Sequence, residues 1–163
     1  MEHTAFIGVG SNLGPREVQL RQALQWIEEE IGTLIRASNI YQTSPWGGID
    51  QPDYLNQVWQ IRTGLGPFHL MTALLELEKR ANRERLQRWG ARTLDLDLLF
   101  YDDYRIRTAF LTLPHPQIQN RNFVLVPLAE IAPDWLHPVL GKTAAELAAK
   151  SPDEEIVRIW AGN

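Results

Sequence analysis

Arg88-Trp89-Gly90-Ala91-Arg92-Thr93-Leu94-Asp95-Leu96-Asp97-Leu98-Leu99-Phe100-Tyr101 is the stretch around which the rest of the chain can be arranged. From Thr93 onward polar and apolar residues alternate, which is the period of a half-buried strand. Asp95 and Asp97 then leave one face of that strand, and Leu94, Leu96 and Leu98 leave the other, toward a core. Two carboxylates side by side repel each other and lose hydration if covered, so the arrangement is costly without a cation between them. Hard oxygen ligands suit magnesium, which takes one or two carboxylates together with phosphate oxygens and waters. Residues i and i+2 of a strand, roughly 6.5–7 Å apart, can grip two ions about 3.5–4 Å from one another. The same short motif also occurs as a solvated strand face that carries charge for solubility.

The approach to this strand is rich in arginine. Arg80, Arg83, Arg85, Arg88 and Arg92 are five of the sixteen basic residues. The guanidinium fork grips phosphate through paired hydrogen bonds and keeps its charge when partly buried. Beside two carboxylates, such a run forms a clamp for a magnesium–polyphosphate. Alternatively it is an exposed Arg/Glu helix end, with Glu76, Glu78 and Glu84 nearby, or a patch for nucleic acid.

Composition narrows the choice. A chain of 163 residues fits one domain, spanning 1–163, and is large enough to bury a core. A net charge of −4 argues against a general nucleic-acid binder, so the arginine cluster stands out from an acidic background. The absence of cysteine excludes disulfides and thiolate metal sites. There is no signal-peptide pattern and no run of 18 apolar residues, so a soluble, cytoplasmic protein is expected, with neither membrane nor nucleic acid as a partner.

Outward from the acidic strand, the remaining elements read as follows. Thr4 to Val9 is a strand that runs into Gly10-Ser11-Asn12-Leu13-Gly14, a tight connection lacking the Lys-Ser/Thr of a phosphate loop. Pro15 opens a helix whose Leu20, Leu24, Ile27 and Ile31 form one apolar stripe. Thr33 to Thr43 reads as a second strand, and the Pro/Gly-rich loop Ser44–Pro52 as a functional cover. Tyr54 and Asn56 share a face of the next strand, so an aromatic plane and an amide point the same way. That pair suits a flat heterocycle, though ordinary sheet packing explains Tyr54 as well. Pro67 starts a long helix with Phe68, Met71, Leu74 and Leu75 on its apolar side. Arg105 to Leu113 reads as a strand that ends at Pro114-His115-Pro116, where His115 is held in extended backbone and is either a ligand contact or structural. Arg121 and Phe123 fall at the start of an apolar helix, Val124 to Ile131, near its anion-attracting end. Thr143 caps a short helix, Ala144 to Ala149, and Ile156 to Trp160 is strand-like. Strands and helices alternate without the regularity of a parallel sheet. The class is α+β, with a mainly antiparallel sheet and helices packed on it.

Ile7-Gly8-Val9-Gly10-Ser11-Asn12-Leu13-Gly14, Gln51-Pro52-Asp53-Tyr54-Leu55-Asn56, Arg88 through Tyr101, Leu113-Pro114-His115-Pro116 and Arg121-Asn122-Phe123-Val124-Leu125 occur in this order. Together they resemble the 6-hydroxymethyl-7,8-dihydropterin pyrophosphokinase family of folate biosynthesis, from about Thr4 to about Ala149. The resemblance implies a ferredoxin-like core that binds ATP, two magnesium ions and the reduced pterin, and transfers diphosphate from ATP to the hydroxymethyl group. It implies metal ligation by Asp95 and Asp97, and charge neutralisation by Arg83 and Arg92. It implies pterin contacts from Thr43, Pro45, Trp46, Tyr54, Asn56 and Phe123. Nucleotide contacts would come from Glu78, Arg85, Arg88, Arg92, His115 and Arg121. A monomer is expected. Asn82 stands where the family commonly has the glycine of a Gly-Arg-x-Arg turn, and Ala91 where it usually has proline. Asparagine tolerates left-handed backbone, and loss of the proline should loosen the loop. The loops Ser44–Pro52 and Arg80–Ala91 are expected to close over bound nucleotide.

The residues alone leave two rivals. A two-metal phosphodiesterase or nuclease could use the same acids and arginines, and a non-catalytic nucleotide or pterin binder could keep the pocket without turnover.

Overall fold

A computed structural model describes residues 1–12, 14–44, 53–86 and 94–162, with the side chains of 83–86 left aside. The elements are β1 (His3–Ser11), α1 (Arg16–Glu30), β2 (Gly32–Ala37), β3 (Tyr41–Thr43), β4 (Tyr54–Thr63), α2 (Pro67–Leu86) and β5 (Leu94–Tyr101). They continue with β6 (Ile106–Arg107), β7 (Thr112–Leu113), α3 (Asn122–Ile131), α4 (Ala144–Ala149) and β8 (Arg158–Ile159). The main sheet runs β5-β1-β4-β3-β8, with β2 beside β3 along β4, and β6-β7 form a separate hairpin. Every pairing among the described strands is antiparallel. The architecture is α+β and ferredoxin-like.

The period-2 pattern divides the sheet into two faces. Ala5, Ile7 and Val9 of β1, Leu55, Trp59 and Ile61 of β4, and Leu94, Leu96 and Leu98 of β5 form one continuous core. Leu20, Ala23 and Ile27 of α1 and Leu70, Leu74 and Leu77 of α2 close it. On the opposite face Phe6, Val58, Leu99 and Phe100 pack under Val124, Leu125, Leu128 and Ile131 of α3 and Ala144 and Leu147 of α4. An extra residue makes this second cluster possible. Phe6 pairs with Phe100 but Ile7 pairs with Leu98, so Leu99 is a bulge. It turns both Leu99 and Phe100 toward α3.

Several expectations need correction. The segment Thr33–Thr43 is two strands, because Ser38 leaves the ladder: its N–H donates to the Val58 carbonyl (3.0 Å) and its hydroxyl accepts from the Val58 N–H (3.0 Å). Arg105–Leu113 folds back as the β6–β7 hairpin, closed by Thr108 N–H to the Leu111 carbonyl (2.9 Å) and by Leu111 N–H to the Thr108 hydroxyl (2.9 Å). Phe68 is exposed and stacks on Phe110 at 6.4 Å, while Leu70, Leu74 and Leu77 supply the buried stripe of α2. The Ile156–Trp160 segment narrows to the two-residue β8. α2 itself continues to Leu86, so Arg80, Asn82, Arg83 and Arg85 stand on a helix rather than in a loop. Arg80 is used structurally: it forms a two-pronged bridge to Glu30 (2.6 and 2.9 Å) and lies 4.9 Å over the Trp26 ring. Asn82 clamps the start of β5, donating to the Leu94 carbonyl and accepting from the Leu94 N–H, both at 3.3 Å. Neither needs a left-handed turn there. Among the described residues no helix is long and apolar enough to cross a membrane.

Candidate active site

The antiparallel register sets the site in cross-strand rows. Gly10 pairs with Asp95 on one side and Asn56 on the other, and Asn56 pairs with Tyr41. One step along, Gly8 pairs with Asp97 and Val58. Directly paired residues project to the same face, so Asp95, Asp97, Asn56 and, one row further, Tyr54 and Thr43 point together. They open onto a cleft of ≈ 340 Å³ whose described lining also includes Arg121, Phe123, Asp153 and Glu155.

The glycines keep this cleft open. A Cβ on Gly10 would meet Asn56 Oδ1 at 3.4 Å, and one on Gly8 would meet Leu99 Cδ2 at 3.4 Å. Neither glycine adds a side chain to the rows that carry the aspartates, which leaves room for a hydrated ion at the carboxylates. Asp95 is exposed and Asp97 half-buried. No group of three or more His, Cys, Asp or Glu converges into a metal cage among the described residues. Two hard carboxylates with space around them fit magnesium, which completes its shell with phosphate oxygens and water.

Asn56 is buried and its Nδ2 donates to Thr43 Oγ1 at 3.0 Å. Tyr54 and Phe123 both line the same opening, and the Arg121 guanidinium lies 5.6 Å over the Phe123 ring. Arg121 is the N-cap residue of α3 and offers no side-chain cap. Asp153 does that work, accepting from the Asn122 N–H through Oδ2 (2.8 Å). Asn122 Nδ2 holds the carbonyls of Asp153 (2.9 Å) and Glu155 (3.1 Å), and Asp153 Oδ1 takes the Glu155 N–H (2.9 Å). Trp160 N–H then donates to the Ile40 carbonyl (2.8 Å), and β8 pairs with β3. The C-terminal segment is thus strapped from the start of α3 to the edge of β3, and carries Glu155 into the cleft wall. Burial raises the Glu155 carboxyl above its ordinary range, Asp153 adds to this, and the Thr43 hydroxyl donating toward it works the other way.

His115 lies near this cleft. Its Nδ1 accepts from the Gln117 N–H at 3.1 Å. Burial holds its pKa below the ordinary imidazole value, with Asp97 pulling it up and Arg121 pushing it down. Glu78 is oriented differently from the expectation of a nucleotide contact: it is buried and accepts from the Leu96 N–H at 2.7 Å, steadying β5 between the two aspartates. Arg83 and Arg85 are carried by α2, with their side chains outside the description. Pro45, Trp46, Arg88 and Arg92 lie outside the described residues, as do Ala91 and most of the two loops expected to close.

Gly8, Gly10, Asp153 and Glu155 went unassigned from sequence. The alternation that marked Asp95 and Asp97 could have flagged the glycines, since both occupy the same phase of β1. Asp153 and Glu155 carried no local signal, being part of an unremarkable acidic stretch.

Comparison with known proteins gives a consistent result. The family model for 7,8-dihydro-6-hydroxymethylpterin-pyrophosphokinase (HPPK) matches residues 6–133. The 2-amino-4-hydroxy-6-hydroxymethyldihydropteridine pyrophosphokinase of Synechocystis sp. is 46% identical over 145 residues, covering 89% of this chain and 74% of that protein. The protein of the same name from Haemophilus influenzae is 42% identical over 157 residues, covering 96% of this chain and 98% of its own length. Among solved structures, a Plasmodium falciparum HPPK-DHPS superposes with a TM-score of 0.76 at 16% identity over 92% of this chain. This chain spans only 43% of that longer protein, and the likeness speaks for the fold.

Proposed function

The chain belongs to the 7,8-dihydro-6-hydroxymethylpterin-pyrophosphokinase family, and we infer from that membership an ATP-dependent diphosphotransferase of folate biosynthesis. It moves diphosphate from ATP to the hydroxymethyl group of 6-hydroxymethyl-7,8-dihydropterin, giving AMP and the pterin diphosphate. The observation that carries the division of labour among residues is the single cleft in which Asp95 and Asp97 share an opening with Tyr54, Asn56 and Phe123.

In this reading Tyr54 and Phe123 stack the pterin ring while Asn56 and Thr43 read its edge, with Pro45 and Trp46 completing that end. Asp95 and Asp97 hold magnesium, two ions in the full complex. Bound there, the metal offsets polyphosphate charge and orients its oxygens. Arg121, at the start of α3, reinforces an end of the helix that already favours anions. Arg83, Arg85, Arg88 and Arg92 supply further cations from the end of α2 and the segment beyond it, Arg83 and Arg92 offsetting the charge that develops on the transferred group. His115, kept neutral by burial, can donate to a nucleotide oxygen from Nε2, because Nδ1 is already an acceptor. Glu78 acts through β5 rather than on the nucleotide.

The hydroxymethyl oxygen attacks the β-phosphorus. A new O–P bond forms as the bond from that phosphorus to the α,β-bridging oxygen breaks, AMP leaves with the electron pair, and the hydroxyl proton passes to water. Phosphoryl transfer is mainly a matter of alignment and charge, so this inventory needs no activated nucleophile and no covalent enzyme intermediate. Mixing the protein with Mg-ATP and hydroxymethyl-dihydropterin should release AMP in step with pterin diphosphate. ADP would instead indicate an ordinary kinase, and pterin-independent hydrolysis a phosphodiesterase.

A further inference from the structure

We propose that Asp153 is a positioning residue for the pterin: bonded to Asn122, it sets the first turn of α3 and with it the ring of Phe123. The inference rests on the pterin site proposed above, in which Phe123 stacks the ring. Asp153 lies beyond the stretch 6–133 matched by the family model, 31 residues along the chain from the helix start that it holds.

The first turn of an α-helix leaves N–H groups without intrahelical partners, and it frays unless something accepts from them. In α3 that turn sits at a boundary. Val124 and Leu125 are buried in the second core cluster, whereas Phe123 is only partly buried against it and lines the cleft. Arg121, the N-cap residue, offers no side-chain acceptor. The acceptor comes from Asp153, whose Oδ2 takes the Asn122 N–H at 2.8 Å. The Asn122 amide reaches the carbonyls of Asp153 (2.9 Å) and Glu155 (3.1 Å), so three hydrogen bonds converge on the residue just before Phe123. Their far end is fixed as well. Asp153 Oδ1 takes the Glu155 N–H (2.9 Å), the Asp153 N–H donates to Ser151 Oγ (3.2 Å), and further on the chain pairs with β3. The pterin can stack on Phe123 only while this turn is ordered. An uncapped turn spends part of its time frayed, and apparent affinity falls with the fraction that remains competent. Loss of a cap moves that balance by about five- to thirtyfold. Stacking holds the ring alike before and during transfer, so the loss should fall on the pterin KM and spare kcat. The ATP side is held separately, since the Arg121 N–H donates to the Ile118 carbonyl at 3.3 Å.

The test measures kcat and KM for each substrate, with thermal midpoints, in Asp153→Ala, Asp153→Asn, Phe123→Ala and the Asp153→Ala/Phe123→Ala double variant. Asp153→Ala should raise the pterin KM about tenfold, with kcat and the ATP KM within about twofold of wild type. Asp153→Asn keeps an acceptor oxygen for the Asn122 N–H and should bring the pterin KM back to within about threefold. The double variant should be no worse than Phe123→Ala alone, because both changes act through one ring. A lowered midpoint in Asp153→Ala with a wild-type pterin KM would reduce Asp153 to a stabilising contact. Effects that multiply in the double variant would mean that it acts other than through Phe123, and either result overturns the proposal. Should Asp153→Ala not fold, Asn122→Ala, which removes only the two side-chain bonds, should raise the pterin KM about threefold, and a wild-type value there overturns the proposal equally. Phe123→Ala separates the two levels. If it raises the pterin KM while Asp153→Ala does not, only the positioning role fails; if it leaves that KM unchanged, the pterin site itself has been misassigned and the positioning role falls with it.

Discussion

The same face of the sheet is used in two ways. Toward the start of β5 it carries Asp95, Asp97, Gly8 and Gly10 and is open to solvent. Toward the end it carries Phe6, Leu99 and Phe100 and is roofed by α3 and α4. β1 and β5 stay paired through both halves with one shift of register, and the change comes at that shift, the bulged Leu99. What differs is coverage. Where helices lie over the face, apolar residues are packed to stabilise the fold. Where α3 begins, coverage stops, and the chain places carboxylates and glycines that would be costly in a core. Site and core are therefore adjacent but should answer to different measurements.

The strongest way to test that division is at the aspartates. Asp95→Asn and Asp97→Asn should each lower kcat on the order of ten-thousandfold, about 5 kcal/mol of barrier. Stability should stay within about 1 kcal/mol of wild type, because each carboxylate is replaced by an amide of nearly the same size in the wall of an open cleft. Magnesium-dependent turnover surviving in both would remove these residues from the metal. Phe100→Ala, a few residues along the same strand, should do the opposite. It deletes a buried ring that packs edge-on against Phe6 at 6.0 Å, and urea unfolding should register a loss of about 3–5 kcal/mol. Activity per folded molecule should stay near wild type; a comparable collapse of kcat would show that the two halves are coupled.

Gly10→Val probes the boundary. Its branched side chain would intrude between Asp95 and Asn56, and kcat/KM should drop about a hundredfold, as expected for misplaced reacting groups, with the melting temperature little changed. An unimpaired variant would mean that substrate never approaches the cleft floor. The smallest effect is expected at His137, buried against Phe100 at 5.6 Å, where Nδ1 accepts from the N–H groups of Val139 (3.2 Å) and Leu140 (3.0 Å). Burial depresses its pKa. A group whose folded pKa is lowered gives stability that is present above its unfolded value of 6.5 and lost as pH falls through the folded one. Thermal midpoints should therefore decline more steeply below pH 6.5 in wild type than in His137→Asn; parallel curves would dismiss the imidazole as their cause.

Legibility in the sequence followed the range of the forces involved. The alternation of Leu94 to Leu98 and the stripe from Leu20 to Ile31 are local and were readable. The capping box at Thr143, with its hydroxyl accepting from the Glu146 N–H at 3.2 Å, was readable in part for the same reason. The break at Ser38 was not, because its cause is a bond to Val58 on another strand. Nor was the role of Arg80, since its partners Glu30 and Trp26 belong to α1. Glu155 is the extreme case: what brings it to the cleft is a set of bonds to Asn122 and a strand pairing with β3, none of which has a sequence pattern.

β8 has one more effect. Without it, β3 would present bare amide and carbonyl groups at that margin of the sheet. With it, the exposed border there is two residues long, and one of them is Arg158. So brief and charged a margin is a poor template for a neighbouring molecule's strand, and the segment that supplies it also lines the cleft through Asp153 and Glu155.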